Sequence, residues 1–337
     1  MLHQRCLSLF QKALIINSLI LSKVWYVAHT LHLSKIVAKK LNASIFQYLW
    51  SGMYQPIKRD TLCLPKKEGG LGVHNIIEKA NSLLSSSCLK EVLNGVGLSR
   101  YYCAIRLSYM VDSGHLDEVC YCPPEHYSIA IDCIRKVYNH KKFPLIKSND
   151  IYKILLPNGK PSVEINYPLN DWVKIWENVN NILIGVEERN FIYRYIHETL
   201  ATNQRLYMLK IRDNESCERC GDPENAFHIF YFCKTIKCVV DWFENFLKNT
   251  CKIDSYNWLK ILLFEIQSHS KIDKDTAVLL ITNYLYCMWI GRKKGYNVLQ
   301  IIGFLKGRLC YQRWLIRKRF GNNTKLYITE RYENYVF

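Results

Sequence analysis

Four residues with metal-binding side chains, Cys217, Cys220, His228 and Cys233, lie close together in the sequence, with the spacing Cys-x2-Cys-x7-His-x4-Cys. Gly221 follows the first pair and permits a tight turn, so that two thiolates converge on one point. His228 and Cys233 are a little over one helical turn apart and can face that same point. Three thiolates and one imidazole favour tetrahedral zinc and leave no position open for water. We therefore predict one structural zinc ion, which would order this segment.

The alternative for these residues is a packed turn without metal. Cys238 lies just over one helical turn after Cys233 and is a possible substitute ligand. A second group has the poor spacing Cys-x-Cys and a stiff Pro123-Pro124 linker, so we do not expect it to bind metal. That group consists of Cys120, Cys122, His126 and Cys133.

Helical periodicity dominates the rest of the chain, and no proline follows Pro223, so the last third can form long helices. A short strand is expected at Leu62–Leu64, and the glycine-rich run 66–72 predicts a turn. The predicted fold class is mainly α, with a small Cys3His module inside a helical domain. The predicted helices span residues 3–31, 35–50 (capped by Ser34), 76–93, 171–184, 187–199, 203–210, 227–248, 256–268, 273–293 and 297–319.

Positive charge is concentrated at the two ends of the chain. Residues 1–100 contain 13 Lys and Arg against 4 Asp and Glu, and residues 292–331 contain 11 against the single acid Glu330. The middle is close to neutral, so the pattern favours a polyanion that contacts both ends, whereas the alternative is two solvated helical faces. The predicted RNA or DNA contacts are Lys35, Lys39, Lys40, Arg292, Lys293, Lys294, Arg313, Arg317, Lys318 and Arg319.

Aromatic residues alternate with these bases near the end of the chain. Basic side chains bind phosphates and aromatic faces stack on bases, so this mixture is typical of nucleic-acid binding. The alternative is an amphipathic helix in which Trp289 and Trp314 belong to the core, and we favour it for these two side chains.

Two apolar runs, 13–33 and 276–290, are expected to be buried helices. The first includes Asn17, Lys23 and His29 and is followed by no small-residue cleavage site; the second is too short to span a bilayer. The 14 cysteines are scattered over the chain, which favours a reducing compartment over a secreted disulfide scaffold. We expect an intracellular protein, nuclear or cytoplasmic, without a membrane partner.

Motifs of several enzyme classes are absent from the sequence. It contains no glycine-rich phosphate loop, no nucleophile elbow, no HExxH and no Asp-Asp pair that would hold the two magnesium ions of a polymerase. We therefore expect neither an enzyme nor a small-molecule substrate.

Short motifs occur in a fixed order near the start of the chain: Ser8-Leu9-Phe10, Lys23-Val24-Trp25-Tyr26, Tyr48-Leu49-Trp50-Ser51-Gly52, Leu62-Cys63-Leu64-Pro65 and Glu68-Gly69-Gly70-Leu71-Gly72. This series resembles the segment that follows the catalytic palm in reverse transcriptases of non-LTR (LINE-type) retrotransposons. In that family the segment is the helical thumb and its exit.

A second series lies farther along: Tyr195-Ile196-His197, Leu200-Ala201-Thr202, Arg205-Leu206, Glu224 ahead of His228, Trp242, and Met288-Trp289-Ile290-Gly291-Arg292. With the cysteine–histidine quartet, it resembles the zinc-binding region of the same polyproteins and the Trp-x-x-Arg helix that often follows. Ala201, Lys210 and Asn225 depart from the usual Pro, Gly and Thr or Ser, but no departure removes a ligand.

The resemblance implies a thumb-like region at 1–95, a connector of unknown role at 96–170 and a zinc-binding region with basic C-terminal helices at 171–337. The polymerase carboxylates would lie upstream of Met1 and the endonuclease is absent, so we expect a truncated or fragmentary copy that binds nucleic acid without catalysis. Two alternatives stay open: a domesticated protein whose zinc module mediates protein–protein contact, and a piece of an active polymerase shortened by its gene model.

Overall fold

The structure, a computed structural model, describes residues 7–52, 54–111, 125–138, 147–157, 159–181, 183–253 and 256–320. Within its helices, the side chains of 106–111, 315–317, 319 and 320 are outside the description. The chain divides into two compact units. The first lies within Met1–Pro65 and Gly70–Gly159, and the second comprises Lys66–Gly69 and Lys160–Phe337.

The predicted fold class is confirmed, because the described residues are mainly helical and contain no strand. Their one isolated β-bridge joins Ser216 to Pro223. Among the described helices, none combines the length and the hydropathy that crossing a bilayer requires.

Side-chain caps start three helices of the first unit, and one of them, Ser34, was predicted. Ser8 forms a capping box with Gln11, Ser34 caps the helix Lys35–Leu49, and Asn75 caps the helix Ile76–Asn94 by accepting from the Glu78 amide. The predicted helix over residues 3–31 is interrupted by a π-helical turn at Ile16–Ile20. The helices are α1 (Leu9–Ile15), α2 (Leu21–Ala28), α3 (Lys35–Leu49), α4 (Arg59–Cys63), α5 (Ile76–Asn94), α6 (Leu98–Val111), α7 (Glu125–Tyr138) and α8 (Ser148–Leu155).

The predicted strand at Leu62–Leu64 is wrong. Leu62 and Cys63 end the short helix α4, and the Leu62 amide donates to the Lys58 carbonyl in a helical bond. The Leu62 carbonyl accepts instead from the amides of Leu71 and Val73, 3.1 and 3.2 Å away. The returning chain thus satisfies this backbone without a sheet, a tertiary contact that a three-residue apolar run does not encode.

The core of the first unit forms where α5 meets α7 and α8. The Tyr152 hydroxyl on α8 accepts a 2.9 Å hydrogen bond from the Asn75 amide at the start of α5. The buried side chains of this core are Leu84, Cys88, Leu89, Ala130, Ile131, Ile134, Val137 and Ile151.

The regions predicted at 1–95, 96–170 and 171–337 were each assigned a role. Those roles stay predictions.

The second unit is built around one long, largely buried helix, α15 (Lys271–Lys294). Leu280, Ile281 and Leu285 at its centre are fully inaccessible, so the apolar run 276–290 is a core helix, as predicted. The helices of this unit are α9 (Ser162–Asn166), α10 (Trp172–Val179), α11 (Val186–Ile196), α12 (Asn203–Met208), α13 (Lys237–Thr250), α14 (Trp258–Leu262), α15 (Lys271–Lys294) and α16 (Val298–Phe320).

Two predicted helices are shorter than expected. The pattern over 227–248 divides into a π-helical turn at His228–Phe232, an extended Cys233, a 3-10 turn at Lys234–Ile236 and then α13. The pattern over 256–268 yields only α14, because Phe264 adopts a left-handed conformation at φ 64°. Apolar spacing alone did not distinguish these turns from continuous helix.

The glycine-rich turn is confirmed, and its first four residues belong to the second unit. The Gly69 carbonyl accepts from the Tyr193 hydroxyl at 3.2 Å and from His197 Nε2 at 2.9 Å. Gly69 itself has φ 79°, and a Cβ at this position would lie 2.5 Å from the Trp176 ring. Only glycine fits both the backbone conformation and the space.

Candidate metal centre

A tight turn presents the first two cysteines. The Cys217 amide donates to the Asp222 carbonyl at 2.8 Å, and the Gly221 amide returns a 2.9 Å bond to the Cys217 carbonyl. Gly221 has φ 82°, which confirms the turn that its position predicted. The bridge from Ser216 to Pro223 closes the base of this turn, so Cys217 and Cys220 lie on one side of a small rigid loop.

The π-helical turn positions the other two side chains. Asn225 Oδ1 accepts from the His228 amide at 2.7 Å, and the Cys233 amide donates to the His228 carbonyl at 2.9 Å. The Tyr284 hydroxyl of α15 donates to the Phe230 carbonyl at 2.6 Å and fastens the middle of the turn to the core. The prediction that His228 and Cys233 face one point is therefore right, although a wider turn than an α-helix achieves it.

The four side chains meet at one point. Their potential ligand atoms all lie within 4.8 Å of one another. Cys220 Sγ is 3.2 Å from His228 Nε2 and 3.8 Å from Cys233 Sγ. Cys217, His228 and Cys233 are buried, and Cys220 is half-buried. The cluster can hold a metal ion.

The electrostatics of the cluster favour a cation. Burial, followed by hydrogen bonds with the neighbouring thiols of Cys233 and Cys217, raises the pKa of the Cys220 thiol to about 12. Burial also lowers the pKa of His228, so its imidazole is neutral and has a lone pair to offer. A metal ion supplies the positive charge that the clustered thiolates require.

Polar contacts support the ligands from outside. The Thr235 hydroxyl lies 3.0 Å from Cys233 Sγ, and Lys234 pairs with Asp222 at 3.4 Å across the loop. Cys238, the possible substitute ligand, is exposed on α13 and is not in the cluster. In the second cysteine group, Cys120 and Cys122 lie outside the described residues.

A buried ion pair ties this loop to α15. Glu224, 2% exposed, accepts hydrogen bonds from Arg292 Nε at 3.2 Å and Nη2, and from the Asn203 amide at 3.0 Å. Arg292 Nη2 also donates to Asn203 Oδ1 at 2.8 Å. Arg292 was predicted to contact phosphate, but its guanidinium is bound to these partners inside the protein.

A second arginine joins the loop to the end of the same helix. Arg219, between the two cysteines of the turn, donates to the carbonyls of Gly291 at 3.0 Å and Tyr296 at 3.1 Å. Gly291 is in the last turn of α15 and Tyr296 lies two residues past its end, so Arg219 connects the loop to both sides of this helix end. The sequence did not predict this contact, because the two acceptors are 72 and 77 positions away from Arg219.

The basic residues predicted to contact nucleic acid are on three helices, α3, α15 and α16. Lys35, Lys39 and Lys40 are exposed on α3 in the first unit. Lys293 and Lys294 are exposed at the end of α15, over the rings of Trp289 and Tyr296. Arg313 and Lys318 are on α16, half-buried and exposed respectively. The side chains of Arg317 and Arg319 lie outside the described ones.

The two tryptophans of the basic segment have different environments. Trp289 is 5% exposed and packs in the core, as favoured. Trp314 is 53% exposed, so the core assignment is wrong for it. Its ring stacks on Tyr311, with ring centroids 5.9 Å apart, and Lys318 Nζ lies 5.0 Å from its centre. Helix periodicity identified the segment as amphipathic but did not decide which ring faces outward.

Fold and site together define a mainly helical protein with a Cys3His cluster that can hold a metal ion. No protein-family model matches the chain, and no curated protein matches its sequence.

Proposed function

We propose that this protein binds single-stranded nucleic acid through α16 and that its Cys3His cluster holds one structural zinc ion. Nucleic-acid binding is supported above all by an exposed group on α16. In this group the rings of Tyr311 and Trp314 stack, and the Lys318 ammonium lies over the Trp314 ring. Exposed aromatic faces with adjacent positive charge are the elements that bind bases and phosphates in sequence-tolerant single-strand binding.

The charge of α16 supports the same conclusion. The helix Val298–Phe320 contains no Asp or Glu, whereas Lys306, Arg308, Arg313, Arg317, Lys318 and Arg319 are basic. Arg308 is bound to the buried Glu188 of α11, which anchors the helix rather than contributing to its surface. Of the remaining bases, Arg313, Arg317, Lys318 and Arg319 belong to the C-terminal half of the helix, which also carries the exposed rings.

Zinc fits the cluster in donor type and in size. Zinc–sulfur bonds of about 2.3 Å in a tetrahedron place neighbouring sulfurs about 3.8 Å apart. Cys220 Sγ and Cys233 Sγ have that separation, 3.8 Å. With four protein ligands the ion is structural and offers no position for substrate. Its role is to hold the loop against α15, where Glu224 and Arg219 meet the end of the helix.

The resemblance to the downstream region of non-LTR retrotransposon reverse transcriptases agrees with this function. In that setting the basic helices hold RNA or target DNA, and the chain performs no polymerisation because it has no paired carboxylates for magnesium. An intracellular location follows from a zinc-thiolate cluster, which requires reduced cysteines.

The test of nucleic-acid binding is its dependence on salt. If Z phosphates are contacted, the logarithm of the binding constant should fall with the logarithm of salt concentration with a slope of about −0.7Z for single strands. Charge reversal at Arg317, Lys318 and Arg319 to Glu should reduce that slope and weaken binding to all sequences alike. Trp314→Ala should weaken the binding of single strands about tenfold and the binding of duplexes much less.

Lys248→Glu, an exposed position on α13, serves as the charge control and should change neither property. A flat salt response, or normal binding by the triple variant, would contradict the proposal. In that case protein–protein contact through the metal module becomes the better function.

The zinc proposal is tested by metal analysis of protein purified without chelator. One zinc per chain is expected in the wild type and in Cys238→Ser, whose thiol is exposed and outside the cluster. Cys217→Ser should lose the metal. A metal-free wild type, or a Cys217→Ser protein that retains one equivalent, would show that the ligands are assigned wrongly.

A further inference from the structure

A cavity of about 290 Å³ lies beside the metal loop in the second unit. Its walls come from the ends of α9 and α11, from α12 and from Asn225–Phe227, the residues that lead into the ligand His228. Because Asn225 also caps the π-helical turn, one wall of this cavity is held in place by the metal loop.

The floor of the cavity is apolar and partly aromatic. Val163, Ile196 and Leu200 are buried, and the rings of Tyr167 and Phe227 stand beside them. Met208, 70% exposed, forms part of the rim. This combination accepts a flat, unsaturated ring by stacking and apolar contact.

Hydrogen-bonding groups line the same space. Among the described residues, no partner is found for the Gln204 side-chain amide or for Asn225 Nδ2. An aliphatic occupant would leave the two amides unpaired. The lining contains one acid, Glu198, and one base, Arg205, so its charge is balanced and suits a neutral ring.

We propose that this cavity receives one unstacked nucleobase of the bound single strand. The inference rests on the proposed nucleic-acid binding and adds a site for a base beside the metal loop. A nucleobase is a flat ring edged with donors and acceptors, and side-chain amides such as that of Gln204 are the groups that pair with base edges. The exposed Lys210, which follows α12, lies two residues from the rim residue Met208 and offers a cation for the adjoining phosphate.

The test compares two short hairpins, each made in RNA and in DNA. One carries a single extrahelical adenosine, and the other has the same backbone without that base. Wild type should prefer the first hairpin by about tenfold, the range expected for one stacked base. Met208→Trp should fill the rim and abolish the preference, whereas Tyr207→Trp, exposed but outside the cavity lining, should keep it. Metal content and salt slope should be the same in all three proteins.

Photocrosslinking from 5-iodouracil at the extrahelical position locates the base directly, and Tyr167 or Phe227 should be labelled. Labelling of Tyr311 or Trp314 instead, equal affinity for the two hairpins, or a Met208→Trp protein that still discriminates would overturn the base site while salt-dependent binding, and with it the proposed function, survives. Absence of binding to the hairpins and to unstructured single strands alike would overturn both.

Discussion

One half-buried side chain, His197, is expected to make the second unit sensitive to acid. Its ring stacks against Trp176, with centroids 5.3 Å apart, and its Nε2 donates to the Gly69 carbonyl. Burial lowers its pKa from 6.5 to about 4, although the bond to Gly69 opposes part of that change. The folded protein therefore keeps this imidazole neutral through a range in which the unfolded chain takes up a proton.

The expected consequence is a loss of stability between pH 6.5 and 4. The unfolded state binds more protons than the folded state in this window, so the free energy of unfolding falls as pH falls, and above pH 6.5 this group has no effect. Between pH 7 and 4.5 wild type should lose about 2.5 kcal/mol more than His197→Gln, which keeps a donor but does not titrate.

Urea unfolding followed by tryptophan fluorescence measures that difference. Acid also weakens the metal cluster, but it does so in both proteins, so the comparison isolates His197. Equal losses in wild type and variant would mean that this histidine is protonated in the folded state.

Gly69 carries a separate prediction, because its backbone conformation and its surroundings both exclude a side chain. Gly295, at the end of α15, has φ 65°, but a Cβ added there would have no atom within 4 Å. Both substitutions to Ala incur the left-handed penalty of about 1–2 kcal/mol. Gly69→Ala should cost about 1–3 kcal/mol more, because its Cβ overlaps Trp176. Similar losses for the two variants in denaturant unfolding would contradict the close approach.

At the scale of elements, the metal loop and the end of α15 are one structural feature. Two arginines connect them. Arg292 of the helix donates to the carboxylate of Glu224, and Arg219 of the loop donates to the carbonyls of Gly291 and Tyr296 on either side of the helix end. The exposed Lys293 and Lys294 follow directly, so the position of this basic end depends on the order of the loop.

Arg292→Met should destabilise the second unit by about 3–5 kcal/mol, because it leaves Glu224 buried without its cation. Adding Glu224→Gln should restore part of the loss, whereas Lys293→Met, next in sequence but exposed, should change stability by less than about 0.5 kcal/mol. Denaturant unfolding and competition with a metal chelator measure stability and metal affinity. Strict additivity in the double variant would show that the two side chains do not interact.

At the scale of the whole molecule, the two units have separate cores, and the candidate metal site belongs to the second alone. The free energy of zinc binding in small modules is about 10–16 kcal/mol near neutral pH, which is comparable to the stability of a domain. Removal of the metal should therefore affect the second unit much more than the first.

Hydrogen exchange with and without chelator tests this expectation. Peptides from residues 203–240 and from the end of α15 should exchange faster after chelation. Peptides from α3 and α5 should be unchanged, since their caps and core do not involve the metal ligands. Uniformly faster exchange across the chain would contradict the independence of the two cores.

The sequence by itself determined features that depend on neighbours along the chain. Apolar periodicity, with the Ser34 cap, located α3, α5, α15 and α16 to within a few residues, because a helix bonds residues four apart. The cysteine spacing and Gly221 identified the four side chains of the cluster that can hold a metal ion, because turn geometry is also local. Tertiary structure decided what depends on distant partners: the return of Leu71 to Leu62, the pairing of Glu224 with Arg292, the exposure of Trp314 and the burial of Trp289. In each case a side chain or backbone group either contacts water or contacts a partner far along the chain. The local sequence does not specify which partner the folded core supplies.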